Sequence, residues 1–314
     1  MAKVIITGYT IRLKKIRVKD YKKLRQFDGH NDLHNILYKF LNNKTGNSNM
    51  DEVGDQKTIF YDNLDTPKNP DCINFTAYIG SYGTAYQLLD HIMKSLKYTR
   101  DTDDTDAFPL QCTIHIPDIN SNYPDIGFLI SEKYKNRAAK GLFETHFKKY
   151  FSNSFPDYIL EMEPIIPEEF FTFFKKGIIS TTKIKSYSIP NNIEDSFSSG
   201  ENTKSKASVE LVIKNKDLKR NLKNAISNRL KNKKHINLST LFTGYPITPE
   251  EITFTGTLNG KQTTVILKEE GETMVPGIDV TKQVIPSKKT GFPNEKSMRD
   301  VEIRYLNDLI TKYK

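Results

Sequence analysis

Apolar residues near the start of the chain first run as a short extended block and then widen to helical spacing. "VIITGYTIRL" predicts a strand. In "NDLHNILYKFLNN", Leu33, Ile36, Leu37, Phe40 and Leu41 fall on one face of a helix that Asn31 or Asp32 would cap. "CINFTAYIG" alternates Ile73, Phe75, Ala77 and Ile79, the pattern of a half-buried strand, and "LQCTIHIP" and "DIGFLISEKY" predict two more strands around the turn-rich "DINSNYP".

From there the predicted order is helix, strand, helix, strand. "NRAAKGLFETHFKKYF" places Ala138, Leu142, Phe143, His146, Phe147 and Tyr150 on one helical face. "YILEME" is extended, "PEEFFTFFKKG" is a short helix, and "IISTTKIKSYSIP" is extended again. Further strands are predicted in "ASVELVIK", in "ITFTGTLNGKQTTVILKE" with a hairpin turn at Asn259-Gly260, and in "IDVTKQV". A helix, "KSMRDVEIRYLNDLITKY", comes last. The fold class expected is mixed α/β (α+β): a layered N-terminal domain over residues 1–190, a polar linker over 191–206, and a smaller β-rich C-terminal domain over 207–314 that carries a basic amphipathic helix.

Charge changes this picture. The 314 residues hold 47 Lys and Arg against 38 Asp and Glu, a surplus of nine. In the segment from Lys214 to His235, Lys214, Lys216, Lys219, Arg220, Lys223, Arg229, Lys231, Lys233 and Lys234 face a single anion, Asp217, so nearly all the surplus is local. A helical reading sets Leu218, Leu222, Ala225, Ile226 and Leu230 on one side, with Arg229 inside that stripe, and Arg220, Lys223, Lys231 and Lys234 on the other. Lysines and arginines that neutralise phosphates release condensed counterions, so this face suits a sequence-independent grip on DNA or RNA. The candidate contacts are Lys216, Lys219, Arg220, Lys223, Arg229, Lys231, Lys233 and Lys234. A merely solvated face would mix signs at i,i+4 spacing, and this one does not. Docking on an acidic protein partner is the alternative. The apolar side lacks the Trp or Phe of a membrane-lying helix, so no membrane is expected as partner.

Catalytic motifs are scarce. There is no phosphate-binding glycine loop, no His-Glu-x-x-His and no nucleophile elbow; "GSYG" at Gly80 to Gly83 reads as a turn. "DTDDTDAFPLQC" fails the calcium-loop pattern, with Thr105, Asp106 and Cys112 where a ligand, a glycine and a glutamate belong. Asp118 or Asp125 followed by Glu132 approaches the carboxylate set of a Mg2+-dependent nuclease, but the lysine that should lie two residues after Glu132 is displaced to Lys135. His30 and His34, flanked by Asp28 and Asp32, have zinc-like spacing without a third ligand. Cys72 and Cys112 suit strand packing and reduced thiols. No cofactor is expected except Mg2+ under the nuclease alternative. With no signal-like N-terminus and no long apolar run, the protein is expected to be soluble and cytoplasmic.

The stretch "GFLISEKYKNRAAKGLFETHFKKYF" with "YILEMEPIIPEEFFTFFKKGIISTTKIKSYSIPNNIEDSF" resembles a loosely defined bacterial family of unknown function encoded beside phage-defence and mobile-element genes. The likeness lies in the Gly127 to Ile130 run, the Phe-rich helix, the Lys-Gly turn and the closing Ile-Pro-x-x-Ile phrase. It implies an antiviral or mobile-element setting, with a partner protein encoded nearby, and carries over no catalytic residue. The sequence therefore predicts a nucleic-acid-binding protein, with a nuclease effector and an interaction subunit as alternatives.

Overall fold

The computed structural model describes residues 3–54, 56–65, 70–134, 137–165, 173, 176, 178–186, 209–214, 251–258, 261–270 and 273–313. The chain divides into a unit of Met1–Glu163 with Val280–Lys314 and a second unit of Pro164–Asp279. The boundary expected near residue 190 falls inside the second unit, because the strands on either side of it pair with each other. The proposed linker at 191–206, most of the short helix at 167–177 and the basic helix lie outside the described residues.

The first unit is a mixed α+β fold. Its strands are β1 (Val4–Lys15), β2 (Asp51–Glu52), β3 (Lys57–Asp65), β4 (Cys72–Ser81), β5 (Tyr86–Leu89), β6 (Leu96–Arg100), β7 (Phe108–His115), β8 (Gly127–Tyr134), β9 (Arg137–Ala138) and β10 (Tyr158–Pro164); its helices are α1 (Leu33–Asn43), α2 (Lys140–Ser154) and α3 (Glu295–Tyr313). One sheet runs β10-β1-β8-β7-β4-β3-β2, with β9 also on β8, while β5 and β6 form a separate hairpin. The pairings β1/β8, β8/β7, β7/β4, β4/β3 and β3/β2 are all antiparallel.

Side-chain alternation gives the sheet two different faces. The register Thr7↔Ser131, Ser131↔Cys112, Cys112↔Phe75 defines one face, and Tyr9, Leu129, Ile114, Ile73, Ala77 and Tyr61 share it. This face is apolar and takes α1 and α2. Asp32 caps α1 by accepting the N–H groups of His34 and Asn35, as expected. On α2 the buried stripe is Phe143, Phe147 and Phe151, one turn apart. Phe40 of α1 meets Phe147 at 5.2 Å and Tyr61 at 5.7 Å, both edge-on, the arrangement that ring quadrupoles favour.

The opposite face carries α3, and here the sequence expectation needs correction. β4, predicted as half-buried, is buried on both sides over most of its length, and every residue of β8 is buried. Gly8 allows the approach of α3: a Cβ there would stand 3.1 Å from the Tyr305 ring. The strand expected in "IDVTKQV" ends at Asp279, and a turn begins at Thr281.

The second unit contains β11 (Ile178–Ser186), β12 (Val209–Lys214), β13 (Glu251–Leu258), β14 (Lys261–Glu270) and β15 (Thr273–Asp279), in the antiparallel order β12-β11-β13-β14-β15. β13 and β14 pair antiparallel from Glu251↔Lys268 to Leu258↔Lys261, as the sequence predicts, while the turn expected at Asn259-Gly260 lies outside the described residues. Among the described residues no helix is long and apolar enough to cross a membrane.

Candidate functional site

The α3-facing side of the sheet is polar where a core would ordinarily be apolar. Asn74 and Thr76 on β4, Gln111 and Thr113 on β7 and Glu132 on β8 all lie on this face, and Glu302 comes down onto it from α3. All six are buried. The Thr113 hydroxyl stands 3.0 Å from Asn74 Oδ1 and 2.9 Å from Glu302 Oε2. One hydroxyl proton cannot serve two acceptors. Burial holds the Glu302 carboxyl well above its usual range, so as a neutral acid it supplies the second proton.

Glu132 has a different task. β7 pairs with β8 only from Cys112 onward, so the N–H of Gln111 has no ladder partner on β8, and Glu132 Oε2 accepts it at 2.8 Å. Burial, opposed by that hydrogen bond, raises the Glu132 pKa to about 7. Oε1 of Glu132 and Oε1 of Glu302 are both buried without a hydrogen-bond partner among the described residues.

A cleft of about 360 Å³ opens on the α1/α2 side, lined among others by Lys44, Asp51, His146, Lys149 and Tyr150. His146 Nε2 lies 3.1 Å from Asp51 Oδ2, which also takes Lys44 Nζ at 2.8 Å, and His146 Nδ1 lies 3.0 Å from the Tyr61 hydroxyl. Burial drives the Tyr61 phenol well above its usual pKa, so it keeps its proton and donates to Nδ1. Nε2 then carries the ring proton and faces Asp51 at ion-pair distance. Burial lowers the His146 pKa against the pull of Asp51, which keeps the ring neutral. Nδ1 accepts from Tyr61 and Nε2 faces Asp51, so the group orients α2 against β3 and leaves no ring lone pair for a substrate.

The carboxylates considered for a nuclease do not come together. Asp118 is exposed and closes a turn by accepting the Asn120 N–H, Asp125 lies in the loop before β8, and Glu132 is inside the sheet, seven residues of chain from Asp125. His30 precedes α1 in an exposed turn whose N–H goes to Asp28, whereas His34 is buried on α1. Among the described residues no group of three or more His, Cys, Asp or Glu side chains could hold a metal ion. Both cysteines are buried and free, and burial pushes the Cys72 thiol up to about 12 and the Cys112 thiol well above the usual value, so both stay protonated. In "DTDDTDAFPLQC", Asp104 and Asp106 serve their own loop: Asp104 holds the Asp101 N–H and Asp106 holds Ser81 and Arg137.

Of the basic segment only Lys214 is described; Lys216, Lys219, Arg220, Lys223, Arg229, Lys231, Lys233 and Lys234 lie outside the described residues. Lys214 is exposed and ends β12, opposite Thr181. By the same register Lys183, Lys185, Glu210 and Val212 share its face of the β11/β12 pair. Glu210 pairs with both Lys183 (2.9 Å) and Lys185 (3.4 Å), so with Lys214 this face of the β11/β12 pair carries three lysines and one carboxylate and is net positive where the basic run begins.

Two features escaped the sequence reading. The Asp51, His146 and Tyr61 group joins the β2/β3 pair to α2, some 85 residues later, and has no local signature. The buried polar layer did have one, Asn74 and Thr76 alternating with apolar neighbours, but such alternation marks a wet face until something covers it. No protein-family model, curated protein or solved structure matches the chain.

Proposed function

We propose that the protein binds nucleic acid through the segment from Lys214 to Lys234, without reading base sequence, and that it does so in the bacterial antiviral or mobile-element setting its resemblance implies. One observation carries this reading: eight of the nine surplus positive charges fall in that segment. The net-positive face of β11 and β12 supports it, because the run continues directly from Lys214 at the end of that face. Cations at this density act on a phosphate backbone through counterion release, which needs no particular bases.

The test is equilibrium binding of the purified chain to labelled duplex DNA, single-stranded DNA and RNA over a salt series, with poly-glutamate as a competing polyanion. Binding that weakens with salt at a log-log slope of about −3.5 or steeper for duplex is expected if four or more phosphates are neutralised. Absence of binding at about 50 mM salt would overturn the proposal. Tighter binding of poly-glutamate than of any nucleic acid would assign the segment to an acidic protein partner.

A further inference from the structure

The β5/β6 hairpin stands outside the main sheet and is exposed over nearly its whole length. Seven large apolar side chains crowd into it: Tyr86, Leu88, Leu89, Ile92, Met93, Leu96 and Tyr98, with Ile92 at 87% and Met93 at 77% exposure. An isolated two-stranded hairpin has little stability of its own, yet this one is fixed at both ends. At the tip, Asp90 accepts the N–H groups of Ile92 and Met93 and pairs with Lys97 at 2.9 Å. At the base, buried Arg100 donates to the carbonyls of Ser81 and Asp104 and lies over the Tyr86 ring, and the Tyr98 hydroxyl bonds Asp104. Local structure thus holds apolar side chains in water, the mark of an interaction surface.

We propose that this hairpin is the contact through which two copies of the chain form a two-fold dimer. Three features favour a second copy. The seven side chains expose on the order of 800 Å², the share each partner gives to a standard interface. Tyr86, Leu88 and Tyr98 lie on one face, since Leu88 pairs with Tyr98 and Tyr86 with Arg100, so that face can meet its own copy. The charges are self-complementary: Lys94 sits at the tip beside the Asp90–Lys97 pair, and exposed Asp101 and Asp103 follow the base. Two hairpins crossing antiparallel set each cationic tip against the partner's acidic base and the apolar faces against each other.

The test is sedimentation of the full chain across the micromolar range, with two charge-reversed variants. Wild type should dimerise. Lys94→Glu sets acid against acid in its own dimer, Asp101→Lys with Asp103→Lys sets base against base, and each variant alone should be monomeric. An equimolar mixture restores both complementary contacts and should dimerise again, which also shows that the hairpins remain folded. A wild type that stays monomeric, or a mixture that does not recover, overturns the proposal. So does dimerisation that ignores all three charges. A monomeric wild type that binds phosphatidylcholine vesicles through Ile92 and Met93 would assign the hairpin to a lipid surface instead.

Discussion

Glu132 ties a buried carboxyl to the end of a strand ladder, and its ionisation should be visible in stability. Its folded pKa of about 7 lies above the ordinary carboxyl value of about 4.3. The folded state therefore binds the proton more tightly than the unfolded chain does. That contribution is fully present below about pH 4.3 and is lost as pH rises through 7, on the order of 3 kcal/mol in all. Glu132→Gln keeps an acceptor for the Gln111 N–H and cannot ionise. Urea midpoints measured from pH 5 to pH 8 should fall less in the variant than in wild type; parallel profiles would mean that Glu132 does not titrate in this window. The sequence marked Glu132 as a candidate metal ligand because an acid on a strand that follows Asp118 and Asp125 approaches the carboxylate spacing of a nuclease. It could not show that Glu302, 170 positions later, arrives on an element that buries both groups.

The elements that were legible are those whose apolar period is complete within themselves. β1, α1, β7, β8, β10 and the β13/β14 hairpin follow from alternation, a cap or an Asn-Gly pair. The α2 face was read from Ala138 to Tyr150, and the structure shifts it to Phe143, Phe147 and Phe151, since the rings of α1 and β3 select that stripe. Phe147→Ala should cost about 3–5 kcal/mol, read as a drop in urea midpoint, because the cavity opens between Phe40, Phe143 and Phe151. β5 and β6 were missed because a hairpin with no neighbouring sheet leaves no inside-outside pattern to read. In the second unit, a Cβ on Gly256 would stand 2.2 Å from the Ile178 carbonyl oxygen, beside the register shift between Ile179 and Thr181. Gly256→Ala should therefore separate β11 from β13 and destabilise this sheet by about 2–3 kcal/mol, measured by urea unfolding. An unchanged midpoint would show that the bulge absorbs the methyl group.

Over the whole molecule, charge and fold are distributed independently. Outside the segment from Lys214 to His235 the chain is close to neutral, and in the first unit Asp32 is engaged in a cap, Asp71 and Asp106 in ion pairs and Glu132 in the buried layer. The fold class was legible because strand and helix periods are visible locally. The division into units was not: it depends on Val280–Lys314 joining the first unit, a contact between distant parts of the chain that no local pattern encodes. The binding reading rests on the excess cations, and the most direct measurement is the salt dependence of duplex affinity for wild type and for the variant Arg220→Gln, Lys223→Gln, Lys231→Gln, Lys234→Gln. If each of the four cations meets a phosphate, the log-log slope should become shallower by about 3.6, at a urea midpoint close to that of wild type. Superimposed slopes for two equally stable proteins would contradict the assignment of this segment to nucleic acid.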